Sequence, residues 1–551
     1  MDSAKRRWFF PSSWTLAACL VALIIATPIL TVLGFVFYPS TDTWQHLVDT
    51  VLADYVTNSL LLMLGVAVGA GSMGITMAWL TSMYRFPGRK IFTWALLLPL
   101  AMPAYIIAYT YTGMLDAAGP VQEWIRSTFD VRYGQYWFPE IRSLGGAMVM
   151  LSLVLYPYVY LLARAAFLDQ SVCALEVSRT LGCGPWRSFF TVALPLARPA
   201  IVTGLSLALM ETLADYGTVQ YFGVSTFTTG IFRTWFGMDD SVAAAQLSGV
   251  LMTFVFALIL IERWSRRRAK FHHATHRYRS LPGIKLSPAL AWVATLACFI
   301  PLFFGFLLPV GQLLQWAMLT FEEMVDASFI ELATNSFLLA GGAALLGLIP
   351  ALILAYGNRN HATPLSRFMI RLSGMGYAIP GTVIAVGILI PFGALDNMID
   401  AWMRAQFDFS TGLIFSGTIF ILLFAYMVRF FTVSLNTVES GLGKIRPSMD
   451  DAAHSMGYRD MTLLRKVHLP IMKGSLLTAV VIVFVDVLKE LPATLVLRPF
   501  NFNTLAVRAF ELASDERLAD ASTAAIAIVA VGIIPVILLS WTIGRSRAGD
   551  H

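Results

Sequence analysis

Long runs of apolar residues constrain the fold of this chain more than any other feature. Runs of about 20 apolar residues are long enough to cross the hydrocarbon core of a bilayer, and only 13% of the 551 residues are charged. A soluble domain carries about twice that share of charge on its surface. The spans should be helices, because lipid offers no partners to unpaired backbone groups. The sequence therefore predicts an all-α integral membrane protein with twelve spans, approximately at 14–38, 58–81, 92–115, 145–168, 199–222, 242–262, 287–315, 335–356, 371–396, 411–433, 474–497 and 522–544.

Lysine and arginine are unevenly distributed among the connectors between these spans. One set of connectors is rich in both, whereas the connectors 38–57 and 320–334 on the other side contain neither. By the positive-inside rule the basic set is cytoplasmic, and so are both termini. The chain begins with a basic segment like that of a signal peptide, but its apolar stretch is too long for one. We therefore interpret it as a first span that stays attached.

The two parts of the chain repeat one another. Thr-Asn-Ser at Thr57–Ser59 returns at Thr334–Ser336, and Pro103 in AMPAYIIA corresponds to Pro380 in AIPGTVIA. Further pairs are Gly182 with Gly457, Pro195 with Pro470 and Arg233 with Arg508. The repeat predicts a six-helix half at 1–262, a basic cytoplasmic linker at 263–286 and a second six-helix half at 287–551. Since each half has an even number of spans, the two are expected to be related by an axis along the membrane normal. A nucleic-acid surface is the alternative explanation for the basic linker.

A polar stretch occurs twice on the basic side, between the fourth and fifth spans of each half. It reads EVSRTLGCGPWRSFFTVALP from Glu176 and DAAHSMGYRDMTLLRKVHLP from Asp451. The spacing from acid to glycine and from glycine to Leu-Pro is the same in both. A short helix, a glycine break, a second short helix and a proline that restarts the chain would account for this pattern. An amphipathic loop lying on the membrane is the alternative.

This stretch resembles the EAA loop of ABC-type importer permeases, although the first copy has Glu-Val-Ser and the second Asp-Ala-Ala at its start. The resemblance implies the type I ABC importer permease fold and a role in docking on an ATPase subunit. The residues that match the coupling motif are Glu176, Gly182, Leu194, Pro195, Asp451, Ala452, Ala453, Gly457, Leu469 and Pro470. Two loops in one chain imply two copies of the ATPase.

Motifs for nucleotide hydrolysis or other catalysis are absent from the sequence. There is no G-x(4)-G-K-[ST] phosphate loop, and HExxH, GxSxG and paired CxxC motifs are absent too. We therefore expect no enzyme activity and no cofactor on this chain, with ATP and Mg²⁺ bound by the partner ATPase. A membrane-embedded enzyme would need a convergent catalytic set, which the sequence does not offer.

Two spans carry acidic residues at positions that the repeat makes equivalent. The fifth contains Glu211 and Asp215, one helical turn apart, and the eleventh contains Asp486 and Glu490. Ionisable groups in a span are costly and point to function, and hard cations prefer carboxylate oxygen. The four acids are therefore candidates for the translocation pathway or its gate. A structural role is the alternative, with Lys489 three residues after Asp486 and able to neutralise it.

The sequence around these acids resembles that of ferric-iron importers among the fused permeases. The resemblance covers essentially the whole chain and implies Fe(III) as substrate, a periplasmic or extracellular substrate-binding protein as partner, and a place in the bacterial inner membrane. Related permeases carry thiamine, phosphonate, sulfate or polyamines, and an acid-lined route disfavours anions. A secondary transporter of the major facilitator type is the remaining alternative, but YRFPGRK at 84–90 lacks the aspartate of that family's loop signature.

Overall fold

The computed structural model describes residues 13–169, 184–267, 284–360, 363–458 and 460–545, and these are predominantly helical. This confirms the predicted all-α membrane class. The first part of the chain contains α1 (Ser13–Phe35), α2 (Asp42–Thr50), α3 (Leu52–Met83), α4 (Arg89–Ala95), α5 (Ala104–Leu115), α6 (Pro120–Phe129), α7 (Leu144–Asp169), α8 (Pro185–Ser188), α9 (Leu194–Ala214), α10 (Gly217–Tyr221), α11 (Phe227–Gly237) and α12 (Ser241–Arg267).

The second part contains α13 (Pro288–Leu302), α14 (Leu308–Met324), α15 (Ala327–Asn360), α16 (Pro364–Ser373), α17 (Gly381–Phe407), α18 (Ile419–Gly443), α19 (Pro447–Ser455), α20 (Asp460–Leu463), α21 (Leu469–Leu488), α22 (Pro492–Leu497), α23 (Leu505–Ser514) and α24 (Leu518–Arg545). Short 3₁₀ segments lie at Leu98–Ala101 and Gly376–Ala378, and π turns lie at Phe189–Ala193, Phe303–Leu307 and Leu464–His468. Two short strands, β1 (Tyr84–Arg85) and β2 (Ile284–Lys285), pair in parallel.

Eleven helical segments of the described chain are long and apolar enough to cross a membrane. A twelfth is present if Arg89–Ala101 and Ala104–Phe129, which meet at 90°, are counted as one span. This bent pair covers the third predicted run. The bend has a physical cause, since Pro103 has no N–H to continue a helix and stands in extended conformation at the N-cap of α5.

The described helices form two compact units that do not follow chain order. One draws on residues 1–43, 234–249 and 327–507, and the other on 44–233, 250–326 and 508–551. In the first unit, α15 packs on α18 and α21, and α1 packs on α15, α16 and α17. In the second unit, α3 packs on α7, α9 on both of these, and α14 on α24. The predicted halves describe a repeat along the chain and stay a prediction.

The sequence repeat has a structural counterpart inside each unit. Pro103 and Pro380 each follow a short 3₁₀ segment and begin a helix, with nearly equal φ and ψ of −60° and 141°, and −55° and 142°. Asn58 Nδ2 donates to the carbonyl of Ser225 at 2.9 Å, ahead of α11. In the same way, Asn335 Nδ2 donates to the carbonyl of Asn503 at 3.4 Å, ahead of α23. The asparagine of the repeated Thr-Asn-Ser therefore joins a loop to α3 in one unit and to α15 in the other.

Candidate coupling and translocation sites

The second copy of the doubled polar stretch contains the predicted glycine break. Helix α19 ends with Gly457 in the left-handed region at φ 83°. The Gly457 N–H donates to the carbonyl of His454 and the Tyr458 N–H to that of Ala453, at 2.9 and 3.0 Å. These two bonds form a Schellman motif, the helix ending that glycine favours because it has no Cβ to clash. Asp451, Ala452 and Gly457 are exposed, while Ala453 packs inward.

The Leu-Pro pair that closes the stretch does not restart the chain, so that part of the prediction was wrong. Leu469 and Pro470 begin α21 directly after the π turn Leu464–His468, and the helical path from Met461 to Leu488 is unbroken. A π turn shifts the hydrogen-bond partners by one residue, which accommodates the missing N–H of proline without ending the helix. The pairs Leu194–Pro195 and Leu308–Pro309 follow π turns in the same way.

In the first copy of the stretch, Glu176 and Gly182 lie outside the described residues. Its later part has the same architecture as the second copy, since α8 leads through a π turn into α9, which begins at Leu194 and Pro195. The rings of Trp186 and Phe190 stack with centroids 6.4 Å apart, and both side chains are exposed. This places an aromatic surface on the described part of the first copy.

A partly buried charged cluster holds the second copy in place. Arg359, at the end of α15, donates to Asp450 Oδ2 from Nη2 at 2.7 Å and from Nε at 3.0 Å. It also donates to the carbonyls of Leu442 and Ile445 at 2.6 and 3.0 Å. On the other side of the carboxylate, His468 Nε2 lies 2.8 Å from Asp450 Oδ1, and His468 is fully buried. We call each copy of the doubled polar stretch an elbow, and Arg359, Asp450 and His468 the elbow clamp.

The elbow clamp is not evident from the repeat in the sequence. Asp450 and His468 lie inside or beside the doubled stretch, but the residues at the equivalent positions of the first copy are Leu175 and Ala193. A search for what the copies share therefore passes over them. The sequence signal that could have revealed them is a difference between the copies, because the second copy has an aspartate and a histidine where the first has two apolar residues.

The charge of Asp450 is maintained by its neighbours. Burial of the carboxyl raises its pKa, but hydrogen bonds from His468 and Arg359 and the charge of Arg359 outweigh burial, so the pKa lies below its usual range. A carboxyl whose pKa is lower in the folded protein stabilises the folded state above its unfolded-state pKa. That stabilisation is lost as the pH falls through the folded-state pKa, so the clamp should hold at neutral pH and weaken only in acid.

We expect Arg359→Lys to lower the stability of the protein by about 1–3 kcal/mol, because an ammonium cannot reproduce the fork that reaches Asp450 and two carbonyls. The measurement is the Tm of the purified protein, combined with limited proteolysis of the segment 444–458. Arg517→Lys is the matched control, since Arg517 pairs with Asp520 at an exposed site where such pairs contribute little. Equal losses of stability in both variants would show that the elbow clamp contributes no more than an exposed ion pair.

Two of the four predicted acids cap short helices. Asp215 Oδ1 accepts the N–H groups of Thr218 and Val219, both at 3.1 Å, at the start of α10. Glu490 Oε1 accepts the N–H of Ala493 at 3.1 Å, at the start of α22. The long helices α9 and α21 end just before these acids. Each acid therefore satisfies backbone donors where a long helix gives way to a short one.

Glu490 also takes part in a buried ion pair. Its Oε1 lies 3.2 Å from Arg429 Nη1, and both side chains are less than a tenth exposed. Gly381, the first residue of α17, lies against this pair, and a Cβ there would collide with both side chains. A larger residue at this position would therefore displace the ends of both side chains and disturb the ion pair.

The other two acids have different surroundings. Lys489 Nζ lies 2.9 Å from Asp486 Oδ1, so the predicted local neutralisation of Asp486 is confirmed. Glu211 is partly exposed on α9, and it makes no ion pair with any residue that the structure describes. Across the described ranges, no group of three or more histidine, cysteine, aspartate or glutamate side chains is placed to hold a metal ion.

Comparison with known proteins shows a similarity to membrane components of transport systems. Residues 70–270, which include α9, Glu211 and Asp215, match a family model described as "Binding-protein-dependent transport system inner membrane component". This part of the chain is therefore similar to the inner-membrane component of binding-protein-dependent transport systems. This match confirms the predicted resemblance. Together with the membrane-spanning helices, it supports the predicted location as a multi-pass protein of the inner membrane.

Curated relatives extend the likeness to nearly the whole chain. It is 28% identical to an Fe(3+)-transport system permease protein of Haemophilus influenzae, over 96% of this chain and 98% of the relative. A putative ferric transport system permease protein of the same organism is 24% identical over 87% and 77%. A molybdenum transport system permease protein of Escherichia coli is 27% identical, but over only 36% of this chain and 87% of the relative. These relatives are permeases rather than enzymes, which confirms the prediction of a non-enzymatic transport subunit.

Proposed function

We propose that this permease imports ferric iron delivered by a substrate-binding protein. One observation carries the substrate: the relatives that match along most of the chain are named for Fe(3+) or ferric transport, whereas the molybdenum permease matches about a third of it. Iron is the cargo here and not a resident cofactor. Carboxylate oxygen at Glu211 suits a hard cation better than an oxyanion.

The energy for import comes, in this proposal, from two copies of a separate ATPase that bind ATP and Mg²⁺ on the cytoplasmic side, where both termini also lie. The two docking elements are the doubled stretches from Glu176 to Pro195 and from Asp451 to Pro470. The exposed residues Asp451, Ala452 and Gly457 support this, because they leave the elbow surface open to a partner. The elbow clamp ties that surface to α15 and to the start of α21, so displacement of the elbow is transmitted to two long helices.

The substrate is tested by uptake of radioactive Fe(III) into vesicles that contain the permease, its ATPase and its binding protein. Molybdate, sulfate and thiamine are added as competitors in separate reactions. We expect iron uptake that depends on ATP and is unaffected by any competitor. ATP-dependent uptake of a competitor without iron uptake would contradict the substrate while retaining the importer.

Within the pathway, we propose that Glu211 contacts the cargo, because among the described residues it is the one of the four acids that neither caps a helix nor forms an ion pair. We expect Glu211→Gln to reduce the rate of iron uptake about tenfold with little change in Tm, since the loss of charge breaks no local contact. Asp215→Ala is the matched control one turn away and should instead lower stability by about 1 kcal/mol through loss of the helix cap. Undiminished uptake by Glu211→Gln would remove this residue from the pathway.

A further inference from the structure

A second doubled motif lies in the connectors between the third and fourth spans of each half. The sequence reads WIRSTFD at Trp124–Asp130 and WMRAQFD at Trp402–Asp408, so both copies share W-x-R-x-x-F-D. The first copy ends α6 and the second ends α17. The distribution of lysine and arginine predicts that these connectors lie on the side of the membrane opposite the two elbows.

The two copies also share one conformation. The final aspartates, Asp130 and Asp408, have φ of 49° and 52° and donate their N–H to the carbonyls of Arg126 and Arg404. In each copy the tryptophan and phenylalanine rings meet edge to face, with centroids 6.3 and 5.7 Å apart. Because an aspartate in the left-handed conformation recurs at the same place, the backbone turns away from the helix directly after the ring pair in both copies.

The arginines of the motif serve their own loops. Arg126 Nη1 donates to the carbonyl of Ala117 at 2.7 Å. Arg404 pairs with Asp400 at 2.7 Å and donates to Ser410 Oγ at 3.0 Å. Asp400 in turn accepts the N–H groups of Thr411 and Gly412. These contacts hold each loop against its helix, so that the charged groups are engaged locally.

The ring pairs, by contrast, project outward. Trp124 and Phe129 are 61% and 65% exposed, and Trp402 and Phe407 are 56% and 63% exposed. An exposed aromatic pair on an otherwise polar helix end is a marker of a binding surface. In a membrane protein, tryptophan at such a site is typical of the boundary between the hydrocarbon core and water, where its apolar ring and polar N–H are both satisfied.

The distance along the helices selects the membrane boundary. Trp124 follows Pro103 by 21 residues, and Trp402 follows Pro380 by 22. In the second copy α17 is continuous from Gly381 to Phe407, and at 1.5 Å per residue the path from Pro380 to Trp402 is about 33 Å, close to the roughly 30 Å of a hydrocarbon core. The first copy has nearly the same spacing, although its path is interrupted at residues 116–119 between α5 and α6. We propose that the ring pairs Trp124–Phe129 and Trp402–Phe407 are paired anchors that bind the lipid–water interface and set the depth of the helices that carry them.

The depth of these helices bears on the candidate pathway. In one unit α5 packs on α10, the short helix capped by Asp215. In the other unit α17 packs on α22, the short helix capped by Glu490. An anchor at the end of α6 or of α17 would therefore fix the depth of that helix in the membrane. The acid-capped short helices α10 and α22, which pack on α5 and α17, would be positioned at a defined depth as a result. The proposal concerns a lipid surface and does not depend on which substrate is carried.

The test uses the full-length permease in complex with its ATPase, in bilayer nanodiscs, and compares its tryptophan emission with that of a Trp124→Phe/Trp402→Phe variant. Both substitutions keep an aromatic ring, so folding is preserved. The lipids are brominated either near the headgroup or at the chain ends. We expect the emission lost in the variant to be quenched about twofold more by bromine near the headgroup. Trp79→Phe is the control, because Trp79 packs between Phe167 and Phe189 and its emission should not show this preference.

Three results would overturn the proposal. Emission from Trp124 and Trp402 that neither lipid quenches would show that the rings face water or a protein. A fall in affinity for the substrate-binding protein in the double variant, without lipid quenching, would assign the same surfaces to protein docking instead. Stronger quenching by bromine at the chain ends would place the rings in the hydrocarbon core, and would equally contradict an interfacial anchor.

Discussion

Replacement of Gly457 by valine is expected to reduce iron uptake about tenfold or more while ATP hydrolysis by the partner continues. Gly457 has φ 83°, and a β-branched residue in this region costs about 1–2 kcal/mol and disfavours the Schellman ending of α19. The elbow would then leave its helix at a different angle, and movement of the ATPase would no longer reach α21. The measurement is the ratio of ATP hydrolysed to iron taken up in reconstituted vesicles. The same substitution at Gly182 tests the first copy.

Two control variants separate the turn from a general effect of adding side chains. Gly457→Asn keeps a residue that tolerates the left-handed conformation, and uptake should be largely retained. Gly474→Ala adds a methyl group at a site in α21 where a Cβ meets nothing within 4 Å, so it should be neutral. Normal coupling in Gly457→Val would contradict the elbow role.

Replacement of Glu490 by glutamine is expected to lower the free energy of unfolding by about 3 kcal/mol, because it leaves Arg429 buried without its counter-charge. Glutamine can still accept the Ala493 N–H, so the loss reports the ion pair rather than the helix cap. The double variant Arg429→Met/Glu490→Gln removes both charges and should recover most of the stability. Tm values of the single and double variants in one detergent form the cycle that isolates the pair.

Asp486→Asn is the comparison for this cycle. Asp486 and Lys489 are partly exposed, so breaking that pair should change Tm only slightly. A Glu490→Gln variant with unchanged Tm but no iron uptake would contradict the structural assignment and place Glu490 in the pathway.

Much of the fold follows from local patterns in the sequence. The apolar runs predict the long helices, since helix is the form in which a chain can satisfy its backbone in lipid. Pro103 and Pro380 show through their repeated context where a helix must begin, and Gly457 marks a helix end for steric reasons. In each case one residue type has few alternatives, so the sequence alone is informative.

Features that depend on distant contacts were not predictable in the same way. The packing of α1 on α17 joins residues far apart in sequence, and nothing in the first 40 residues indicates it. Likewise, the helix caps formed by Asp215 and Glu490 were not predictable, because they depend on where α9 and α21 end. The π turns before Pro195 and Pro470 were missed because a proline usually ends a helix, and the one-residue shift that admits it leaves no sequence signal.

The most direct test of the account is iron uptake into vesicles that contain the permease and its binding protein, with the ATPase present, absent, or inactivated at its nucleotide site. We expect uptake only with the active ATPase and ATP, and we expect collapse of the proton gradient to leave it unchanged. Uptake that proceeds without the ATPase and stops when the proton gradient is collapsed would contradict it, and would indicate a secondary transporter instead.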